Sequence, residues 1–169
     1  MRNYGHAFNA NKTENINKEM KRFTLLATLL FITVAAIAQF KDPVQWNFNT
    51  VKKSDKVYEI TFTATVAKPW HIYSQTTPKG GPVPTKIVFK TNPLVTINGS
   101  AKENGALKQV HDQYFNVDVK YFNDKVDFVQ TVTLKADAKT NISGTVEYMV
   151  CNDQECLPPK KVPFDLKLQ

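Results

Sequence analysis

Both cysteines of the 169-residue chain fall in one short stretch, Tyr148-Met149-Val150-Cys151-Asn152-Asp153-Gln154-Glu155-Cys156-Leu157-Pro158-Pro159. Thiols bind metals, attack electrophiles or join as disulfides, and spacing and compartment choose among these. Four polar, turn-prone residues separate Cys151 from Cys156, and a run of β-formers leads in. The simplest geometry is a hairpin with the two thiols facing each other across its neck. Opposed strand residues have Cα atoms about 4.5–5.5 Å apart, inside the window a disulfide needs. As a staple such a bridge contributes little: closing a loop of roughly 6 residues returns about 2 kcal/mol, against about 4.7 for roughly 100 residues. A short bridge on a surface turn is better suited to being opened and closed. The first reading is therefore a redox pair, with a structural hairpin disulfide second and a metal site last. The metal reading needs His71 and His111 to converge on the pair, and neither has a ligand-like spacing to the cysteines.

The alternation of the lead-in strand puts Thr145, Glu147, Met149 and Cys151 on one face and Val146, Tyr148 and Val150 on the other, so Cys151 points away from the more apolar side. Asp153 and Glu155 within the loop oppose thiolate formation and hold the reduced thiols near or above about 8.5. Such a pair is better suited to being attacked by a partner's activated thiolate than to attacking first. Cys151 ends a strand, whereas Pro158 and Pro159 keep the segment after Cys156 out of regular pairing, which makes Cys156 the more approachable sulfur.

The elements that must position this hairpin read as strands. Apolar residues alternate with period two in Val44/Trp46/Phe48, Tyr58/Ile60/Phe62/Ala64/Val66, Phe115/Val117/Val119/Tyr121, Val126/Phe128/Val132/Leu134, Val146/Tyr148/Val150 and Val162/Phe164/Leu166/Leu168. Turn signals stand at Lys52-Lys53-Ser54-Asp55, Asn92-Pro93, Asn98-Gly99-Ser100, Asn104-Gly105, Asn123-Asp124 and Asn141-Ile142-Ser143-Gly144. About eight short strands without helices or repeats predict an all-β chain, an immunoglobulin-like antiparallel β-sandwich. The segment Pro69-Trp70-His71-Ile72-Tyr73-Ser74, followed by Pro78, Pro82 and Pro84, breaks the pattern. It reads as a long rigid loop with Trp70, His71 and Tyr73 on its leading edge; an aromatic strand end packed in the core is the alternative.

The first 38 residues have a different character. Residues 1–19 are hydrophilic and rich in Asn and Lys; Met20-Lys21-Arg22 then opens an apolar run from Phe23 to Ile37, with the small-residue site Ala36-Ile37-Ala38 before Gln39. This is the pattern of a secretory signal peptide, too short for a comfortable membrane span. The expected start is Met20, with cleavage after Ala38 and a mature domain over 39–169. A periplasmic or secreted location makes a disulfide the default state of the pair. Residues 39–169 carry 17 lysines and no arginine against 13 acidic residues, a net charge of +4. Scattered lysines without arginine argue against nucleic-acid binding and describe a solvated surface.

The segments Trp70-His71-Ile72-Tyr73-Ser74, Asp112-Gln113-Tyr114-Phe115, Tyr121 with Phe128-Val129-Gln130-Thr131-Val132, and Cys151 to Cys156-Leu157-Pro158-Pro159 together resemble the N-terminal periplasmic domain of the DsbD thiol:disulfide interchange proteins. The resemblance covers nearly all of 39–169, and the Cys-x-Pro-Pro ending is its most specific part. It implies an immunoglobulin-like domain, a protein-disulfide reductase component, that takes electrons from a thioredoxin-like domain. It passes them through transient mixed disulfides to disulfide isomerases, other thioredoxin-like proteins and cytochrome-maturation factors, without cofactor or metal. Carried onto this chain, it makes Cys151 and Cys156 the redox pair, with Cys156 bonding the partner. Tyr114 and Phe115 match a shielding cap, Asp112 an acidic residue beside it, and His71 and Tyr73 the aromatic wall. The cysteine spacing is one residue shorter than in the best-known member. Phe115 fits the core alternation of its strand, which leaves Tyr114 as the shield. The family's transmembrane and C-terminal thioredoxin-like domains are missing from the 169 residues, so a membrane electron donor is expected to act in trans on a monomer. The competing reading is a secreted immunoglobulin-like binding module with an inert bridge.

Overall fold

The computed structural model describes residue 20 and residues 42–113 and 115–169. The expected signal peptide, its cleavage site and Tyr114 lie outside the described residues. The chain divides into two compact units, 1–41 and 42–169. Among the described residues no helix is long and apolar enough to cross a membrane.

Among the described residues the second unit holds eleven strands: β1 (Val44–Lys52), β2 (Val57–Val66), β3 (His71–Tyr73), β4 (Lys86–Phe89), β5 (Val95–Gly105), β6 (Lys108–Asp112), β7 (Val117–Phe122), β8 (Lys125–Leu134), β9 (Thr140–Tyr148), β10 (Val150–Cys151) and β11 (Lys160–Leu168). They form three antiparallel ladders, β1-β2-β8-β5, β11-β9-β4 and β10-β3-β7-β6. The predicted all-β, immunoglobulin-like antiparallel sandwich is the observed architecture. Period-two alternation explains the core: Tyr58, Ile60, Phe62, Ala64 and Val66 of β2 and Val126, Phe128, Val132 and Leu134 of β8 are all buried. They meet Ile142, Val146, Tyr148, Phe164 and Leu168 of the facing ladder. Rings cross the interface edge to face, Phe62 to Phe164 at 4.9 Å and Trp46 to Tyr148 at 5.3 Å, the geometry aromatic pairs prefer.

The third ladder places the site. Its inner residues Ile72, Phe122 and Val150 join the main core, while Tyr73, Val119 and Cys151, on the opposite face of the same strands, form a second small cluster. Cys151 thus faces away from the main core, as the alternation predicts, yet it is only 3% exposed.

Several sequence expectations give way. His71–Tyr73 is a strand paired on both sides, to β10 and to β7, and not the leading edge of a loop. The prolines flank it and leave its own N–H groups free for the ladder. Trp70 and Ile72 of the same segment pack on the main core. Asn141-Ile142-Ser143-Gly144 is part of β9, paired with β11, and its glycine serves close packing, since a side chain at Gly144 would collide with the Val88 carbonyl and the Phe164 ring. Asn98-Gly99-Ser100 is a bulge within β5, with Gly99 at φ +65°. The buried Gln130 amide fills it, donating to the carbonyls of Asn98 at 3.0 Å and Gly99 at 3.4 Å. Phe115 belongs to no strand: β7 begins at Val117, and Asn116, in the left-handed region at φ 53°, interrupts the alternation.

Candidate functional site

Cys151 and Cys156 are joined by a disulfide, S–S 2.00 Å, with Cα atoms 4.0 Å apart. The two residues oppose each other as an isolated antiparallel bridge. The hairpin that presents them is closed by Asn152 N–H donating to the Glu155 carbonyl at 2.9 Å and Leu157 N–H to the Val150 carbonyl at 2.9 Å. Inside the turn, Asn152 Oδ1 accepts from the N–H groups of Gln154 and Glu155, both at 2.8 Å. This is the local bonding that makes asparagine a turn residue, and it gives Asn152 a structural task that sequence reasoning left unassigned. The two sulfur-bearing residues differ in access: Cys151 is buried and Cys156 is exposed.

A cleft of about 500 Å³ lies beside the bridge, lined by both cysteines, the turn between them, His71, Tyr73, Val119 and Tyr121 of the sheet floor, and Val110 to Gln113 with Phe115 on the far side. The far side is the β6–β7 hairpin, where Asp112 pairs with Val117 across a four-residue loop. Asp112 Oδ1 accepts from the Phe115 N–H at 3.1 Å and so holds the loop against its own strand. The structure thus brings together His71, Tyr73, Asp112, Phe115, Cys151 and Cys156. Tyr121 belongs with them: its ring packs against His71 at 4.5 Å, tilted by 40°. Its alternation with Val117 and Val119 signalled a common face, but only the pairing of β7 with β3 turns that face toward the cysteines.

The floor is held by hydrogen bonds. His71 Nε2 and the Tyr73 hydroxyl are 3.0 Å apart, and the Tyr73 carbonyl accepts from the Thr85 hydroxyl at 2.6 Å. Burial pushes the His71 pKa below its ordinary value, against the opposite pull of Asp153 and Asp112. Burial, then Asp112 and Tyr121, raise that of Tyr73 and keep it a phenol. At the rim the His111 pKa is raised by hydrogen bonds to Asp118 and Asn116. Among the described residues no group of three His, Cys, Asp or Glu is placed to hold a metal ion.

The family model described as "Thiol:disulfide interchange protein DsbD, N-terminal" matches residues 38–168. Among solved structures the chain is similar to the N-terminal periplasmic domain of ScsB from Proteus mirabilis, with a TM-score of 0.53 at 15% identity over 77% of this chain and 47% of that one. It is also similar to the Neisseria meningitidis DsbD n-terminal domain in the reduced form, with a TM-score of 0.44 at 20% identity over 70% of this chain and 82% of that one. The chain spans about half the length of the ScsB structure, and that likeness bears on the fold. No curated protein matches the sequence.

Proposed function

The chain belongs to the family of the DsbD N-terminal domain, and from that premise we propose that Cys151 and Cys156 form an exchangeable pair in the periplasm, taking two electrons from a thioredoxin-like donor and passing them to disulfide-bonded partners. One observation carries the reading beyond the family: a single disulfide has one exposed and one buried end. Exchange needs that asymmetry, because the partner must reach one sulfur while the other is kept to resolve the mixed disulfide.

The donor's thiolate attacks Cys156 Sγ, the bond to Cys151 breaks, and Cys151 leaves with the electron pair and gains a proton. The donor's second thiolate then attacks its own first sulfur and releases Cys156 reduced. Passing the electrons on reverses the roles: Cys156 attacks the acceptor's disulfide, and Cys151 attacks Cys156 to expel the acceptor as a dithiol. Asp112 and Phe115 act as part of the cap and His71 and Tyr73 as the wall, with Tyr114 assigned to the cap from its place in the sequence beside Phe115.

Trapping tests the assignment. Cys151→Ala, with Cys156 free, is expected to accumulate a covalent complex with a thioredoxin-like partner on mild oxidation, and Cys156→Ala to accumulate little. Equal trapping, or trapping by Cys156→Ala alone, would reverse the roles of the two sulfurs. Failure of both variants to trap, together with a disulfide potential below about −300 mV, would return the bridge to a structural one in a binding module.

A further inference from the structure

Cys151 is the sulfur that a partner does not reach, yet it must leave and return in every cycle. At 3% exposure and packed with Tyr73 and Val119, it departs into surroundings that solvate an anion poorly, and burial disfavours the thiolate. Its proton therefore needs a carrier inside the cleft. The groups that face this space are Tyr73 and His71 from β3, Tyr121 from β7, His111 and Asp112 from β6, and Asp153 and Glu155 from the hairpin. Tyr73 stays a phenol, and His111 is fully at the surface on Asp118 at 3.0 Å. Asp153 and Glu155 belong to the exposed turn, and Asp112 is committed to the Phe115 N–H.

His71 is placed differently. It is the direct cross-strand partner of Cys151 in the β10–β3 ladder, which sets the two side chains on one face with Cβ atoms about 4.5–5.5 Å apart. Its ring is fixed by the contact of Nε2 with the Tyr73 hydroxyl at 3.0 Å and by packing against Tyr121 at 4.5 Å. Resting on the exchange reading above, we propose that His71 is the proton carrier for Cys151, taking its proton as the disulfide closes and returning it as the disulfide opens. In this arrangement Nε2–H donates to the Tyr73 oxygen and Nδ1 carries the lone pair. On closure the Cys151 proton passes to His71 while its sulfur attacks Cys156 Sγ, and the acceptor sulfur leaves with the electron pair. On opening, His71 takes up a proton from water in the cleft and passes it to the departing Cys151. Burial favours the neutral ring, the form a base requires.

The closing step is measured by reacting the reduced domain with dithiobis(nitrobenzoate), a symmetric aromatic disulfide whose released thiolate is coloured. Attack by Cys156 releases one thiolate, and resolution by Cys151 releases a second in a separate, intramolecular phase. His71→Gln is expected to leave the first phase unchanged and to slow the second by at least roughly ten-fold near neutral pH. That is less than the typical gain of about 10²–10⁴ from a positioned base, because Cys151 can still lose its proton to water. In wild type the second phase should be nearly flat in pH between about 6.5 and 7.5, before the thiolate route takes over, whereas in His71→Gln it should climb about ten-fold per pH unit across that window toward a thiol value of about 8.5 or higher. An unchanged second phase in the variant overturns the role of His71 and leaves the exchange reading standing. A wild-type reaction that stops at one released thiolate overturns the exchange reading, and the proton carrier with it. Should His71→Gln fail to fold, the wild-type profile decides: a resolution rate climbing steadily into the thiol range overturns the proposal.

Discussion

Asp42 shows how single residues hold the frame that presents the disulfide hairpin. Its carboxylate accepts from the buried Tyr148 hydroxyl at 2.7 Å, from the Val44 N–H at 3.0 Å and from Lys160 Nζ at 3.0 Å, tying the entry of β1 to the ends of β9 and β11 beside Cys151. Burial pushes its pKa up, but those three donors outweigh burial and hold it below the ordinary carboxylate value. A lowered folded pKa stabilises the fold above the unfolded value of about 3.9 and loses that contribution as pH falls through the lower folded value. Asp42→Ala is expected to cost about 1–2 kcal/mol near neutral pH, the low end for orphaning a buried donor, because the ion pair to Lys160 is partly exposed and screened. Denaturant midpoints across pH check this: the gap between wild type and variant should narrow below about pH 4. A constant gap would assign the loss to packing. At this scale the sequence was legible where residue types are rare, as in the Cys151–Cys156 disulfide, whose pairing across a hairpin the spacing predicts. The role of Asp42 was not, since Tyr148 stands 106 positions away.

The β6–β7 hairpin is the element that lines the far side of the cleft beside the cysteines, and little of it could be read from residue patterns. Four of the five residues of β6, Lys108 to His111, are exposed, so the strand has no buried face and no alternation. β5 was not read as a strand at all, because the turn signals Asn98-Gly99-Ser100 and Asn104-Gly105 both fall inside it. In β9 the misreading was of glycine: Gly144 serves close packing rather than a turn, and Gly144→Ala is expected to destabilise by about 1–3 kcal/mol through that collision, seen as a lowered thermal midpoint. The cap is expected to act on access. Phe115 lines the cleft without entering the core, so Phe115→Ala should speed reduction by dithiothreitol, because access is one control on exchange rate. The accompanying loss of stability should fall well short of the roughly 3–5 kcal/mol typical of a buried aromatic. Adding Tyr114→Ala should increase the acceleration. An unchanged rate in both variants would deny the loop a shielding role.

For the molecule as a whole, the division of labour between two clusters decides what the disulfide does for the fold. The main core runs through Ile60, Phe62, Phe128, Val146, Tyr148 and Phe164 and contains neither cysteine; Cys151 belongs to the smaller cluster on the outer face of the third ladder. The hairpin is also held by the two bonds at its neck and the two to Asn152 Oδ1, none of which involves sulfur. Opening the bridge therefore removes only the constraint on a loop of sequence separation 5, about 2 kcal/mol by the chain-entropy relation. Against the roughly 5–15 kcal/mol typical of a domain, that leaves the sandwich folded. Reduction, or the pair Cys151→Ser and Cys156→Ser together, should lower the thermal midpoint modestly and preserve a single cooperative transition with the far-ultraviolet spectrum of the oxidised form. This tolerance is what a carrier that alternates between redox states requires, since the reduced form must keep its partner-binding surface. Calorimetry of the two forms checks it: loss of the cooperative transition on reduction would mark the bridge as a structural element and count against exchange.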